Sequence, residues 1–543
     1  MIQVENLSFG FGDKELYKKI SFTLEEGKHC AFIGSNGTGK TTLVELLLHP
    51  EKYVYEGKLL LEEGSRIGYV NQNFVEEEHK EQTVFSFLSE VFVQLQQKME
   101  AICARMAGEE DLDAVFEEYQ KILDLSLALD ADHYESNIKK QLALVGMAEK
   151  ENTELGALSG GEYKLLQVMR EMLKLPNLLI MDEPDVFLDF EHMNGLCELI
   201  NSYKGTLLVI THNRYLLNHC FDKILHLEDG EIQEFDGDYI TYNYMLLQKK
   251  IELQEQALEE QKEIERAQQM VNRMRTQATN VSIASLGRAV HAKQTYLDRL
   301  RARAIKAPFL EQRIPHIEFP EVEADPQEVI LQVTDYSVKF EKTVLEHVNF
   351  QLKANEKVAI VGANGTGKTT LFYDIYKNQN PSVKIAEGAK VGFLSQFYEK
   401  VWDEKLSGGE QNLRQIEQIA KGDANLLLLD EPTSHLDTYA QIGLEQALAE
   451  YKGAVLMVSH DFYTIVNCVD SILFVDETSV RPMRVRTFRK MIYANHFDKD
   501  YLELEQKKKT LEMNIQERLK ANDVKMAKQL CEQLGEIVEK MLR

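Results

Sequence analysis

Two nine-residue segments, GSNGTGKTT at 34–42 and GANGTGKTT at 362–370, have the spacing of a loop that wraps phosphate. Glycines in such a loop let backbone N–H groups turn inward onto an anion, and the helix that follows adds favourable potential at its N-terminus. Lys40 and Lys368 are the residues expected to reach the β- and γ-phosphates of a nucleoside triphosphate, with Thr41 and Thr369 on Mg2+. The rest of each cradle is Gly34, Ser35, Asn36, Gly37, Thr38, Gly39 and Thr42, and Gly362, Ala363, Asn364, Gly365, Thr366, Gly367 and Thr370.

Further chemistry recurs in the same order behind each loop. LLIMDEP, ending at Pro184, and LLLLDEP, ending at Pro432, read as buried strands that deliver carboxylates to the carboxyl edge of a parallel sheet. Asp182 and Asp430 are placed there to hold Mg2+, and Glu183 and Glu431 to polarise an attacking water. LSGGE at 158–162 and at 406–410 offers Ser159, Gly160 and Gly161, and Ser407, Gly408 and Gly409. In each, the serine caps a helix whose N-terminus suits an anion. His212 and His460 each follow an apolar strand and are candidate γ-phosphate sensors. GYVNQ ends at Gln72 and GFLSQ at Gln396.

The elements that must position these groups follow from the repeat. Between glutamine and LSGGE the second copy is 76 residues shorter than the first, with only a connector from Phe397 to Lys405. At 543 residues, 44% hydrophobic and 28% charged, the chain can build several cores. Charged residues interrupt every apolar run before it reaches the ~20 residues a membrane helix needs. The six cysteines are scattered without a CxxC pattern, and the first residues read as a strand rather than a signal peptide, so a cytoplasmic protein is expected.

The ordered motifs resemble the ABC ATPase superfamily, with its Walker A, Q-loop, signature, Walker B and H-loop, over about 1–237 and 328–480. The resemblance implies an α/β fold of two tandem ABC-type P-loop nucleotide-binding domains and an activity of ATP hydrolysis with Mg2+. It also implies that each ATP lies between one domain's Walker A and the other's signature. Lys40, Thr41, Gln72, Asp182, Glu183 and His212 would then face Ser407, Gly408 and Gly409. Lys368, Thr369, Gln396, Asp430, Glu431 and His460 would face Ser159, Gly160 and Gly161. Gln72 and Gln396 would join Thr41, Thr369, Asp182 and Asp430 around Mg2+, and Phe11 and Phe340 sit where the family stacks an aromatic on adenine. The second copy reads DEPTSHLD but the first DEPDVFLD, so both sites are expected to be hydrolytic but unequal, with the first the one that departs from the usual pattern.

Between the domains, 238–327 lacks proline and glycine over its first forty residues and reads as a long helix. A short apolar stretch follows (Val281, Ile283, Ala284, Leu286, Gly287), and a second helix is expected over 288–305. Nine basic residues and one acid lie between Arg266 and Lys306, in a chain of net charge −26. That local excess is the footprint of a nucleic-acid contact, with Arg273, Arg275, Arg288, Lys293, Arg299, Arg301 and Arg303 as candidates for phosphate contacts. Residues 85–125 read as a helical arm and 481–543 as a helical C-terminal extension.

Two ABC domains joined by a basic hairpin, without membrane segments, resemble the ABC-F family of translation factors. That resemblance implies a monomer with an intramolecular pseudo-dimer of ATPase domains. It implies binding at the E site of the 70S ribosome, with contacts to 23S rRNA, P-site tRNA and the peptidyl-transferase centre. Antibiotic resistance by ribosome protection is the favoured role. A general translation factor is the alternative, and the ATPase subunit of a membrane transporter a more distant one.

Overall fold

The computed structural model describes residues 2–542 apart from 13, 63, 72–79, 107–111, 281–283, 304–314, 323–324, 341–342, 396–407 and 494–498. Two compact units separate: Met1–Asp238 with His316–Ile492, and Tyr239–Pro315 with Tyr493–Arg543.

The first unit contains both ABC domains. In the first domain a six-stranded sheet runs Ile67–Val70, Leu178–Asp182, Thr206–Ile210, His29–Ile33, Lys223–Glu228, Glu231–Asp236, all parallel but the last. The inner strands LLIMD and TLLVI are buried at every residue, as continuous apolar runs covered on both faces must be. Register sets Asp182 beside Ile210, and Phe32 beside Ile210 on the other flank. Loop, carboxylate and histidine therefore leave one sheet edge together. A three-stranded antiparallel sheet, with Ile2–Phe11 between Lys14–Leu24 and Glu56–Leu61, packs its apolar face onto the same core.

The second domain repeats this plan with Val391–Leu394, Leu426–Asp430, Ala454–Val458, Lys357–Val361, Ser471–Asp476 and Ser479–Arg484. The last strand pairs antiparallel with Ser471–Asp476, so a boundary at 480 would cut a hairpin; the domain runs on through the helix Val485–Tyr493. The expected arm in the first domain is the helix pair Val84–Met106 and Leu112–Ala128, held in part by Arg105 Nη1 to Glu118 Oε2 at 2.8 Å. The connector Phe397–Lys405 lies outside the described residues.

In the second unit, Tyr239–Asn280 is one helix of 42 residues, about 63 Å at 1.5 Å per residue. Its partner spans Ala284–Arg303, so Leu286 and Gly287 belong to that helix's first turn and not to an irregular tip. Ala267, Val271 and Leu297 bury the seam between them. Near its start the long helix packs on Lys499–Lys520 and Val524–Met541, joining Ile240 and Ile251 to Ile515, Leu519, Leu534 and Val538 in one core. Gly535 permits this approach, because a Cβ there would stand 2.5 Å from the Tyr244 hydroxyl. The C-terminal extension is thus part of the linker's own bundle.

The two ABC domains are tied by a buried charge cluster behind the histidine loops. Arg214, two residues after His212, pairs with Glu445 and, at 3.2 Å, with Asp461 of the second domain, and its guanidinium lies 4.9 Å from the Tyr463 ring centre. Glu445 is completed by the Thr464 hydroxyl at 3.0 Å and the Asn467 amide at 2.7 Å. Removing one member of such a set strands a desolvated charge, at a cost of about 3–5 kcal/mol. Arg214→Met is expected to lower the thermal unfolding temperature of the first unit by several degrees, read by calorimetry. An unchanged transition would show that the cluster is not a joint.

Candidate functional site

Each phosphate loop ends in a left-handed glycine, Gly39 at φ 99° and Gly367 at φ 81°, just before the helices Lys40–Leu48 and Lys368–Lys377. At Gly39 a Cβ would also stand 2.9 Å from the Tyr17 hydroxyl, which donates to the Gly39 carbonyl at 2.6 Å. Both lysines fold back over their loops. Lys40 Nζ donates to Gly34 O at 2.9 Å and Ser35 O at 3.0 Å, and Lys368 Nζ to Gly362 O at 2.8 Å and Ala363 O at 2.6 Å. Burial lowers the pKa of both ammonium groups, and facing carboxylates oppose that. The loops are thus shaped around a charge centre that an anion would meet.

Neither carboxylate oxygen of Asp182 or of Asp430 receives a well-formed hydrogen bond among the described residues, although Thr41 and Thr369 stand beside them. Burial pushes both carboxyls up to about 6; at Asp182 the neighbouring Glu183 adds to the rise. Buried bare oxygens are costly, and a divalent cation would supply the missing partner. Carboxylate and threonine hydroxyl are hard oxygen donors suited to Mg2+, which needs few protein ligands beside substrate phosphates. Among the described residues no group of three His, Cys, Asp or Glu forms a metal cage, so the donors fit Mg2+ held jointly with nucleotide.

Glu183 and Glu431 adopt positive φ, 46° and 49°, a strained backbone that costs about 1–3 kcal/mol each and aims them from the strand ends. Their surroundings differ. Burial would raise Glu183, but His435 of the second domain, His212 and Lys40 outweigh it and hold its carboxyl below the usual range. Burial and then Asp430 raise Glu431, which accepts the His460 N–H at 3.2 Å. His212 and His460 are pushed down to about 3 by burial first and the nearby lysine next, so both imidazoles are neutral near pH 7.

The two sites are composite. Asn36 N–H donates to Asp437 Oδ2 at 2.9 Å and its side-chain amide to His435 O at 2.8 Å. In the mirrored pair, Asn364 N–H donates to Asp189 Oδ2 at 3.0 Å and its amide to Phe187 O at 2.8 Å. Asp189 and Asp437 are at once N-caps of the helices Phe190–Ser202 and Thr438–Glu450. Burial would raise Asp189, yet His192 and the donated N–H groups hold it well below the usual carboxylate range. A cavity of about 760 Å³ lies at the seam, bringing Ser159, Gly160 and Gly161 together with Asn364–Thr370, Phe340, Asp430, Glu431 and His460. Ser159 caps its helix in a reciprocal box with Glu162. Gly409 meets Asn36 in the opposite site, and Gly408 lies against His435.

Phe11 and Phe340 are 57% and 64% exposed, free to offer a ring face to a base. Gln72, Gln396 and Ser407 lie outside the described residues. One expectation needs correction: the substituted trio Asp185, Val186 and Phe187 lines the seam cavity with Lys368 as well as with Glu183 and His212, and the Phe187 carbonyl accepts the Asn364 amide, so the departure from the usual motif bears on the second site too and not on the first alone. Sequence reasoning passed over Asn36 and Asn364 as trans contacts, and gave Asp189, Asp437 and His435 no role across the seam. The signal was present in the shared LD that closes DEPDVFLD and DEPTSHLD.

Paired P-loop sheets that complete each other's sites define an ABC ATPase with both nucleotide-binding domains in one chain. Two family models described as ABC transporter match, one over 17–186 and 345–392 and its extension over 225–319. ABC transporter F family member 5 of Arabidopsis thaliana is 26% identical, over 88% of this chain and 75% of that protein. The ribosome protection protein VmlR of Bacillus subtilis is 25% identical over 88% and 87%, and the energy-dependent translational throttle protein EttA of Haemophilus influenzae 25% over 92% and 94%. A complex of archaeal ribosomal stalk protein aP1 with the ribosome recycling factor aABCE1 shares the fold, with TM-score 0.50 at 16% identity over 90% and 92%. The chain belongs to the ABC-F ATPases.

A Cβ at Gly409 would stand 2.1 Å from Asn36 Nδ2 and 2.3 Å from the His435 carbonyl, against 2.9 Å to the Phe187 carbonyl for Gly161. Gly409→Ala is therefore expected to lower ATPase kcat at least tenfold while a single Walker A loop still binds fluorescent ATP; equal loss from Gly161→Ala would contradict this ranking.

Between about pH 3 and 6.5 the unfolded chain takes a proton that folded His212 refuses, so this group makes stability fall as pH falls. Asp182 and Asp430 act oppositely between 3.8 and about 6, since the fold takes their proton first. His212→Gln should become less destabilising, relative to wild type, on going from pH 7 to pH 4.5 in denaturant titrations. A pH-independent difference would mean that the ring titrates in the fold as it does in the unfolded chain.

Proposed function

We propose that this chain hydrolyses ATP at the seam of its ABC domains and binds the ribosome while the seam is shut, most specifically as a ribosome protection factor. One observation carries the ribosomal half: nine basic residues and one acid between Arg266 and Lys306, in a chain of net charge −26. Packing leaves most of them at the surface, although Arg275 donates to Gln294 at 3.0 Å and Arg301 to Gln268 at 2.7 Å across the hairpin. Ala267, Val271 and Leu297 occupy the hairpin seam, leaving Arg273, Arg275, Arg299 and Arg301 exposed and Lys293 half-buried. The side chains of Arg288 and Arg303 lie outside the described residues. Charges spread over two helices suit phosphate and shape recognition of RNA more than base reading.

ATP with Mg2+ supplies the reactive phosphoanhydride and the charge that draws the two domains together. Lys40 and Lys368 hold the phosphate charge, Glu183 and Glu431 orient water, and neutral His212 and His460 offer a ring nitrogen beside it. Signature glycines close each site from the other domain. The finer reading places the closed form at the E site of the 70S ribosome, with the hairpin toward P-site tRNA and the peptidyl-transferase centre. The name of VmlR supports protection, and that of EttA a general role in translation as the second reading. Among the described residues no helix is long and apolar enough to cross a membrane, and the basic hairpin has no use in the ATPase subunit of a transporter.

With Glu183→Gln and Glu431→Gln combined, the protein is expected to co-sediment with 70S ribosomes in ATP. Arg299→Glu with Arg301→Glu should weaken that binding and reduce its salt dependence. Resistance of a sensitive host expressing the chain separates protection from a general role. Absence of co-sedimentation in every nucleotide state would defeat the ribosomal reading.

A further inference from the structure

The segments after the two Walker B glutamates cross the seam in mirrored fashion. Phe187 and His435 both hold left-handed backbone, φ 68° and 61°, and both give their carbonyl to the opposing asparagine amide at 2.8 Å. Their rings meet edge to face with centroids 6.1 Å apart. The backbone on the two sides is thus equivalent, and the side chain is what differs. His435 sends Nδ1 to 3.5 Å from Glu183 Oε2, an ion-pair distance across the domain boundary. Phe187, in the same place beside the Lys368 site, has no polar atom to send toward Glu431, whose imidazole contact is instead His460 Nε2 of its own domain at 3.6 Å, present whether or not the seam is shut.

We propose that His435 is a positioning residue acting in trans on Glu183, and that Phe187 denies Glu431 the same help. The Lys40–Glu183 site is then the fast hydrolytic site, and the Lys368–Glu431 site holds its ATP longer. The physical reason is orientation. A glutamate at a strained strand end has several rotamers, and a donor fixed on the other domain selects one only when the seam is shut. Hydrolysis at that site is coupled to closure, while the slow site can keep the domains together. Val186 and Asp185 complete the asymmetry: Asp185 accepts the Thr211 hydroxyl at 2.7 Å within its own domain, where the second domain has Thr433.

This inference rests on ATP hydrolysis at the seam but not on the ribosome. The test uses the full chain with Glu431→Gln, which leaves the Glu183 site, or Glu183→Gln, which leaves the Glu431 site. His435→Phe should lower kcat at least tenfold in the first background, with KM for ATP nearly constant, and much less in the second. His435→Asn, which keeps a donor, should restore part of the loss. Phe187→His should raise turnover in the Glu183→Gln chain. Nucleotide retained after a single turnover gives an independent readout: a mixture of ADP and ATP in wild type, shifted toward ADP by Phe187→His. Equal effects of His435→Phe in both backgrounds, or no rescue by asparagine, would overturn the assignment. An inactive wild type would instead overturn the ATPase reading itself.

Discussion

The site depends on a reciprocal hydrogen bond: the asparagine of each phosphate loop is held by the aspartate and carbonyl that follow the other domain's Walker B strand. A backbone N–H donating to a buried carboxylate is a charge-assisted bond, stronger than a neutral one. Each carboxylate also caps a helix of its own domain. One group therefore reports the position of a helix to a loop that must meet phosphate. When the seam is shut, loop, carboxylate pair and opposing signature are in register; when it opens, these bonds are lost together.

From that constraint follows the placement of the costlier features. Strained glutamates, bare aspartates and the His212 ring, both of whose nitrogens lack a hydrogen bond, all gather where nucleotide and cation would satisfy them. Such groups burden the fold alone and become useful only with ligand. The Arg214 cluster differs, joining the domains through opposite charges that pair with each other rather than with ligand. A hinge made of protein and a clamp completed by ligand give the first unit one permanent joint and one switchable joint.

The second unit answers a different problem. A helix of 42 residues is too polar along its middle to be held by core packing, and the hairpin seam buries only a few small and branched side chains. The C-terminal helices supply the remaining apolar surface near its start, through Ile515, Leu519, Leu534 and Val538. Stiffness at the base leaves the basic stretch outside the apolar core, with hydrogen bonds such as Arg275–Gln294 and Arg301–Gln268 joining its two helices. That division lets charge accumulate there, where alternating signs would otherwise be favoured.

Much of this was legible in the residues alone, because the chemistry is local. A phosphate loop, an apolar strand ending in two carboxylates and a serine before two glycines each carry their geometry within a few positions, and their repetition makes chance unattractive. The helical hairpin was legible too, except that its second helix begins near Ala284, since a glycine within a turn of the start costs less than a break there. The tertiary structure decided what depends on residues far apart in the chain. DEPDVFLD looked like a defect of the first site, yet the segment crosses the seam and lines the second as well. The pairing of Asn36 with Asp437, and of His435 with Glu183, joins positions about 250 to 400 residues apart. Such contacts arise only when two separately folded sheets are brought face to face, and neither sheet encodes the other's approach.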